Sequence, residues 1–129
     1  MKISRTGIIL NTEKYDECVS FYGELFDLKI LFKENEGGFK LTCFEFQGSY
    51  LMIETGGIAK PKEKSMEESC TKLRFNVPDI EDALSTINLF GIDAEILRSE
   101  WGATINICDP DGNRIGIRDE ATFICQLRS

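Results

Sequence analysis

Histidine is absent from all 129 residues of this chain. With it goes the commonest metal ligand and the one side chain that titrates unaided near neutral pH. A serine or cysteine nucleophile has no imidazole to activate it. The five cysteines are an odd number and form no CxxC pair, which argues against a disulfide framework or a zinc ribbon. They read as reduced thiols packed as small apolar side chains. Long apolar runs are also missing. The stretch from Gly7 to Leu10 is too short for a signal-peptide core or a spanning helix, so a cytoplasmic location is the default. Basic residues are outnumbered, 15 against 22 acidic, for a formal net charge of −7. That balance disfavours nucleic acid, whose phosphates need Lys and Arg, and no polybasic segment suggests a membrane surface.

What is present is enough for one ordinary domain. Hydrophobic residues make up 42%, too many for a disordered chain. The domain, residues 1–129, reads as one pattern written twice. In the first copy, residues 3–55, a strand near 6–10 leads to a helix over about 14–26. That helix has Val19, Tyr22, Leu25 and Phe26 on one face and Thr12 as a cap. Strands follow near 28–33, 39–46 and 49–54, with turns at Gly37-Gly38 and Gln47-Gly48. In the second copy, residues 70–120, a strand near 71–77 precedes a helix that Asp79 caps and Gly91 stops. Its apolar face is Ile80, Ala83, Leu84, Ile87 and Phe90. Strands follow near 93–97, 103–108 and 114–118. Residues 56–69, rich in Gly, Lys, Glu and Pro, read as a linker whose charge run at 60–68 is solvated. The tail, 121–129, offers a short strand or a cover for a sheet edge. The expected fold class is therefore α+β: two βαβββ modules, each a four-stranded mixed sheet with a helix on its outer face. The other sheet face is left open in each module, and the open faces would form a cleft.

Between the seventh and eighth strands stands Asp109-Pro110-Asp111-Gly112-Asn113, with Trp101-Gly102 before the seventh. Asp-Pro starts a turn, and Gly112 and Asn113 tolerate the positive φ of a tight hairpin. This wording and the module order resemble the vicinal oxygen chelate superfamily of glyoxalases, extradiol dioxygenases and bleomycin-resistance proteins. The resemblance covers roughly residues 3–120. It implies modules paired side by side around an enclosed site, and a homodimer.

Strand residues alternate between faces, so polarity reveals phase. Leu73, Phe75 and Val77 belong under the second helix, leaving Lys72, Arg74 and Asn76 on the open face. Ile105 and Ile107 point inward, leaving Thr104, Asn106 and Cys108. Ile115 and Ile117 point inward, leaving Arg114, Gly116 and Arg118. In the first copy Ile8 and Leu10 point inward, with Arg5, Gly7 and Ile9 outward. In the fourth strand Leu51 and Ile53 are assigned to the core and Tyr50, Met52 and Glu54 to the open face.

Metal-binding members of the resembled superfamily draw ligands from four open-face places. On this chain those are Arg5, Tyr50 (or Leu51), Lys72 and Gly116. None is an ordinary metal ligand, and two cations would repel a divalent ion. Neither a metal nor another cofactor is therefore expected. The open face instead gathers Arg5, Lys72, Arg74, Arg114 and also Arg118. Arginine suits a bidentate grip on a carboxylate or phosphate. The plain alternative pairs these cations with Glu45, Glu54 or a partner's acids, or leaves them in solvent. Trp101 and Tyr50 offer aromatic walls, or simply pack at the sheet end.

The chain reads first as a metal-independent small-molecule-binding protein, its ligand organic and anionic. A metal-free lyase or isomerase is the alternative, with Glu54 or Glu45 as base and Arg5, Lys72 or Arg74 stabilising an oxyanion. A ligand-free dimerisation module is the third. No catalytic residue stands out.

Overall fold

The computed structural model describes all residues, 1–129, and divides into two compact units, Met1–Pro61 and Lys62–Ser129. Each is βαβββ with a four-stranded mixed sheet. In the first unit the element order is β1 (Gly7–Thr12), α1 (Tyr15–Ser20), a π-helical segment (Phe21–Leu25), β2 (Ile30–Glu36), β3 (Phe39–Phe46) and β4 (Ser49–Thr55). The sheet order is β1-β4-β3-β2, with β1 and β4 parallel and the other neighbours antiparallel. In the second, β5 (Leu73–Val77), α2 (Ile80–Leu89), β6 (Leu97–Ser99), β7 (Gly102–Cys108) and β8 (Arg114–Asp119) repeat the order β5-β8-β7-β6.

The alternation of apolar residues sets the buried faces. In the first unit Phe44, Leu51 and Ile53 are fully buried, and Cys18, Phe21, Tyr22 and Leu25 from the helical side are buried with them. Each large side chain so buried contributes about 1.5–3 kcal/mol. The helix expected over 14–26 runs over 15–25 and widens to π geometry at Phe21. There Phe21 meets Tyr22 edge-on at 5.1 Å and Phe26 at 5.8 Å. Thr12 does not cap it. Thr12 closes β1, and its hydroxyl donates to the Glu54 carbonyl at 3.1 Å, so no side chain caps the helix start at Lys14. Expected strand 28–33 begins later, at Ile30, with a register shift around Leu31.

In the second unit Leu73, Ile105, Ile107, Ile115 and Ile117 form the buried face, joined by Ile80 and Ile87 of α2. Asp79 caps α2 as expected, accepting from the Glu81 and Asp82 amides at 3.0 and 3.1 Å. Ala83 and Leu84 are half-buried, while Phe90 lies exposed after the helix. Gly91, at φ +104°, follows it. The strand expected at 93–97 is instead Leu97–Ser99, because β7 pairs only with those three residues before the turn.

Two further expectations change. The tail forms α3 (Glu120–Arg128), capped by Asp119, and not a strand. The charge run is not wholly solvated: Lys64 is buried, its amide donating to the Gly112 carbonyl at 2.9 Å. No helix is long and apolar enough to cross a membrane.

Candidate functional site

On the second unit's open face the parallel register places Arg74 opposite Gly116 and Asn76 opposite Arg118. Across β8, Gly116 faces Asn106, Arg118 faces Thr104 and Arg114 faces Cys108 on β7. Lys72 lies just before β5, and its Nζ donates to Asn106 Oδ1 at 2.9 Å. Lys72 Nζ and Arg74 Nε lie 3.6 and 3.1 Å from the point that a β-carbon on Gly116 would occupy. Neither cation has a carboxylate partner. An ion pair on this unit's surface joins Arg98 to Glu81 elsewhere.

The other expected cations are differently placed. Arg114 is half-buried, and one guanidinium nitrogen donates to the Ser69 carbonyl at 3.2 Å while its Nε has no partner. Arg118 donates to the Trp101 carbonyl at 2.8 Å and lies 5.4 Å from the Phe123 ring centre of α3. Asn76 donates to Glu120 of α3 at 2.9 Å. The tail helix therefore engages the far end of the polar row, a feature the tail's weak periodicity did not reveal. Trp101 sits exposed in the turn between β6 and β7, with two-thirds of its surface free.

The first unit's open face is of different character. Gly7 pairs with Tyr50, Ile9 with Met52 and Asn11 with Glu54. Cys43 and Glu45 of β3 stand opposite Met52 and Tyr50. The Tyr50 ring lies flat on Gly7, where any β-carbon would overlap it. Burial raises the Cys43 thiol pKa, and the charge of Arg5 offsets part of that rise. Arg5, exposed and ahead of β1, belongs to this unit. Glu45 accepts from the Gly48 amide at 2.8 Å, and Glu54 accepts from Asn11 at 3.5 Å.

The Asp-Pro-Asp-Gly-Asn loop is built as a scaffold. Asp109 Oδ1 accepts from the amides of Asp111 and Asn113, both at 2.9 Å, and Oδ2 accepts from the Asn113 side chain. Lys64 Nζ donates to Asn113 Oδ1 at 3.0 Å. Only Gly112 has the positive φ expected of both loop residues; Asn113 contributes its side chain instead. Cys108, at the loop's edge, has its thiol pKa raised by burial and by the negative charges of Asp109 and Glu63.

A divalent metal does not fit the four places named above. Tyr50 lies flat against its neighbour strand, Gly116 has no side chain and is covered by two cationic ones, and Arg5 and Lys72 are themselves cations. Nowhere do three or more cysteine, aspartate or glutamate side chains gather as metal ligands would.

Comparison with known proteins accords with this architecture. No curated protein sequence matches the chain. Among solved structures, SMU.1112c superposes with TM-score 0.74 at 19% identity, over 92% of this chain and 98% of that one. The fosfomycin resistance protein FosX from Listeria monocytogenes gives 0.73 at 14% identity, over 92% and 94%. TnmS3, an antibiotic binding protein from Streptomyces sp. CB03234, gives 0.69 at 18%, over 92% and 98%. At these identities the likeness carries the fold alone. The family model described as Glyoxalase/Bleomycin resistance protein/Dioxygenase superfamily matches residues 2–117, nearly the whole chain, and this protein belongs to that superfamily.

Proposed function

We propose that this protein is a metal-independent small-molecule-binding member of its superfamily, and that its ligand carries an anionic group held by Lys72 and Arg74. The observation that carries this is their convergence over Gly116 with no carboxylate between them, in a chain whose net charge is −7. Two like charges held close repel each other, and an anion relieves that repulsion. The guanidinium supplies directional donors and the ammonium a compact charge. Trp101 offers an aromatic surface on the same unit. Tyr50, Met52 and Glu54 are the candidate ligand-facing residues of the first unit's own open face. That FosX is a resistance protein and TnmS3 an antibiotic-binding one supports small-molecule binding as the general role.

The test is thermal denaturation with added phenyl phosphate, benzoate or a cationic aromatic such as benzamidine. An anion that binds only the folded protein raises Tm by linkage, and the Lys72→Ala/Arg74→Ala variant should fold but lose that rise. Stabilisation by benzamidine with no effect of either anion would overturn the proposal.

A homodimer and a cytoplasmic location belong to the same proposal. Edge strand β2 is exposed along its whole length and presents Ile30, Leu31 and Phe32 to solvent, an edge that soluble proteins usually cover. A light-scattering mass near that of one chain at micromolar concentration would contradict the dimer.

A further inference from the structure

We infer that Gly116 is the specificity-determining residue of the second unit's open face: because it has no side chain, Lys72 and Arg74 can lie across β8 and present one paired cationic site. This rests on the anion-binding proposal above and deepens it. The sheet order is β5-β8-β7-β6, so β8 separates Lys72 from Asn106. To donate to Asn106 at 2.9 Å, the Lys72 side chain must pass over β8, and it passes at Gly116. Its Cε lies 3.1 Å from the position a β-carbon there would take. Arg74, the register partner of Gly116, brings its Nε to the same 3.1 Å. The flanking residues of β8 on this face are Arg114 and Arg118, whose bulk gives no such passage.

Backbone geometry does not explain the glycine. Gly116 is absent from the residues with positive φ and sits inside a regular strand, where glycine is ordinarily unfavourable. Close approach by the two side chains is what remains. The crossing fixes Lys72 at one end by Asn106 and sets its ammonium beside the Arg74 guanidinium, an arrangement that suits a compact oxyanion such as a carboxylate or phosphate monoester. A glutamate at 116 would put a carboxylate between the two cations and fill the site from within. The residue at this one position therefore decides whether the face accepts an external anion.

The experiment compares the wild type with Gly116→Ala, Gly116→Val and Gly116→Glu by calorimetric titration with phenyl phosphate and benzoate, and by thermal denaturation. Alanine needs the side chains to give by a few tenths of an ångström, and valine, a favoured strand residue, must displace them. Affinity should fall about threefold in the alanine variant and about tenfold or more in the valine variant, as charge-assisted contacts are lost, and vanish in the glutamate variant. The Tm of the alanine and valine variants should equal or exceed that of the wild type. A folded valine variant that binds as the wild type does overturns the inference and leaves the anion proposal standing. Should valine prevent folding, undiminished binding by the alanine variant overturns it equally. A wild type that binds neither anion overturns both.

Discussion

Lys72 reaches across an intervening strand to donate to the side-chain oxygen of Asn106, 2.9 Å from its Nζ. The bond joins a residue ahead of β5 to the middle of β7 and lies on the open face, not in the core. Replacing Asn106 with Leu should therefore leave stability within about 1 kcal/mol of wild type, because the lost bond is solvent-exposed. Lys72 would lose the acceptor that fixes its end, and anion affinity should fall. In a double-mutant cycle, Lys72→Ala and Asn106→Leu should be non-additive in binding by about 0.5–1 kcal/mol. Full additivity would mean that the bond does not position the ammonium.

Titration of the purified protein with nickel, zinc and manganese should show no equimolar site at micromolar concentration. Tyr50 and Gly116 stand where oxygen ligands would be needed, and cations flank the second of them. Elemental analysis of the protein as isolated gives the same information. One tightly held ion per chain would show a ligand set outside these four places.

Lys64 is a buried charge whose Nζ donates to Asn113, and Asn113 in turn donates to Asp109. Truncation to Ala leaves polar groups of a tightly bonded loop without their donor. The expected loss is about 1–3 kcal/mol in urea unfolding. A change under about 0.5 kcal/mol would mean that water replaces the ammonium freely.

Asp119 joins three elements. Its carboxylate accepts from the Ala103 amide at 2.8 Å, from the Thr122 amide at 3.0 Å and from the Thr122 hydroxyl at 2.8 Å. The two backbone amides come first among the causes that lower its pKa. A carboxylate with a depressed folded-state pKa contributes stability above its unfolded value, near about 3.9. That contribution is lost as pH falls below this value and through the folded one. Asp119→Asn should cost about 1 kcal/mol at neutral pH, the usual worth of a lost cap. The gap between variant and wild type should narrow on acidification below about pH 4. A gap independent of pH would assign the effect to shape alone. Circular dichroism should show α3 fraying in the variant, since this helix buries no side chain that would hold it otherwise.

Much of the architecture was legible in local pattern. Leu73, Phe75 and Val77, then Ile105 and Ile107, then Ile115 and Ile117 alternate with other residues. The structure buries the isoleucines and Leu73 and half-buries Phe75 and Val77. Arg74, Asn76 and Asn106 stay exposed, and Gly116 alone of the opposite set is buried, beneath Lys72 and Arg74. Asp79 before an acidic turn announced a helix start. Where reading failed, a distant partner had taken the group concerned. Thr12 resembled a cap, but its hydroxyl was claimed by Glu54, 42 positions away. Lys64 looked like one more solvated charge in a charged run, and Asn113, 49 positions on, drew it inside. The tail lacked a strong apolar period because α3 is capped at one end and only lightly packed.

The sequence by itself determined which side chains share a sheet face, because a strand's period of two is local, and it ruled out imidazole chemistry by containing no histidine. It also placed Lys72, Arg74, Asn106 and Gly116 on one face. It did not determine that the first two converge over the last. That depends on the parallel register of β5 with β8, Arg74 against Gly116, and on the strand order that sets β8 between Lys72 and Asn106. Register and order are fixed by pairing between segments some forty residues apart and by burial of the whole opposite face, so only the tertiary structure decided them.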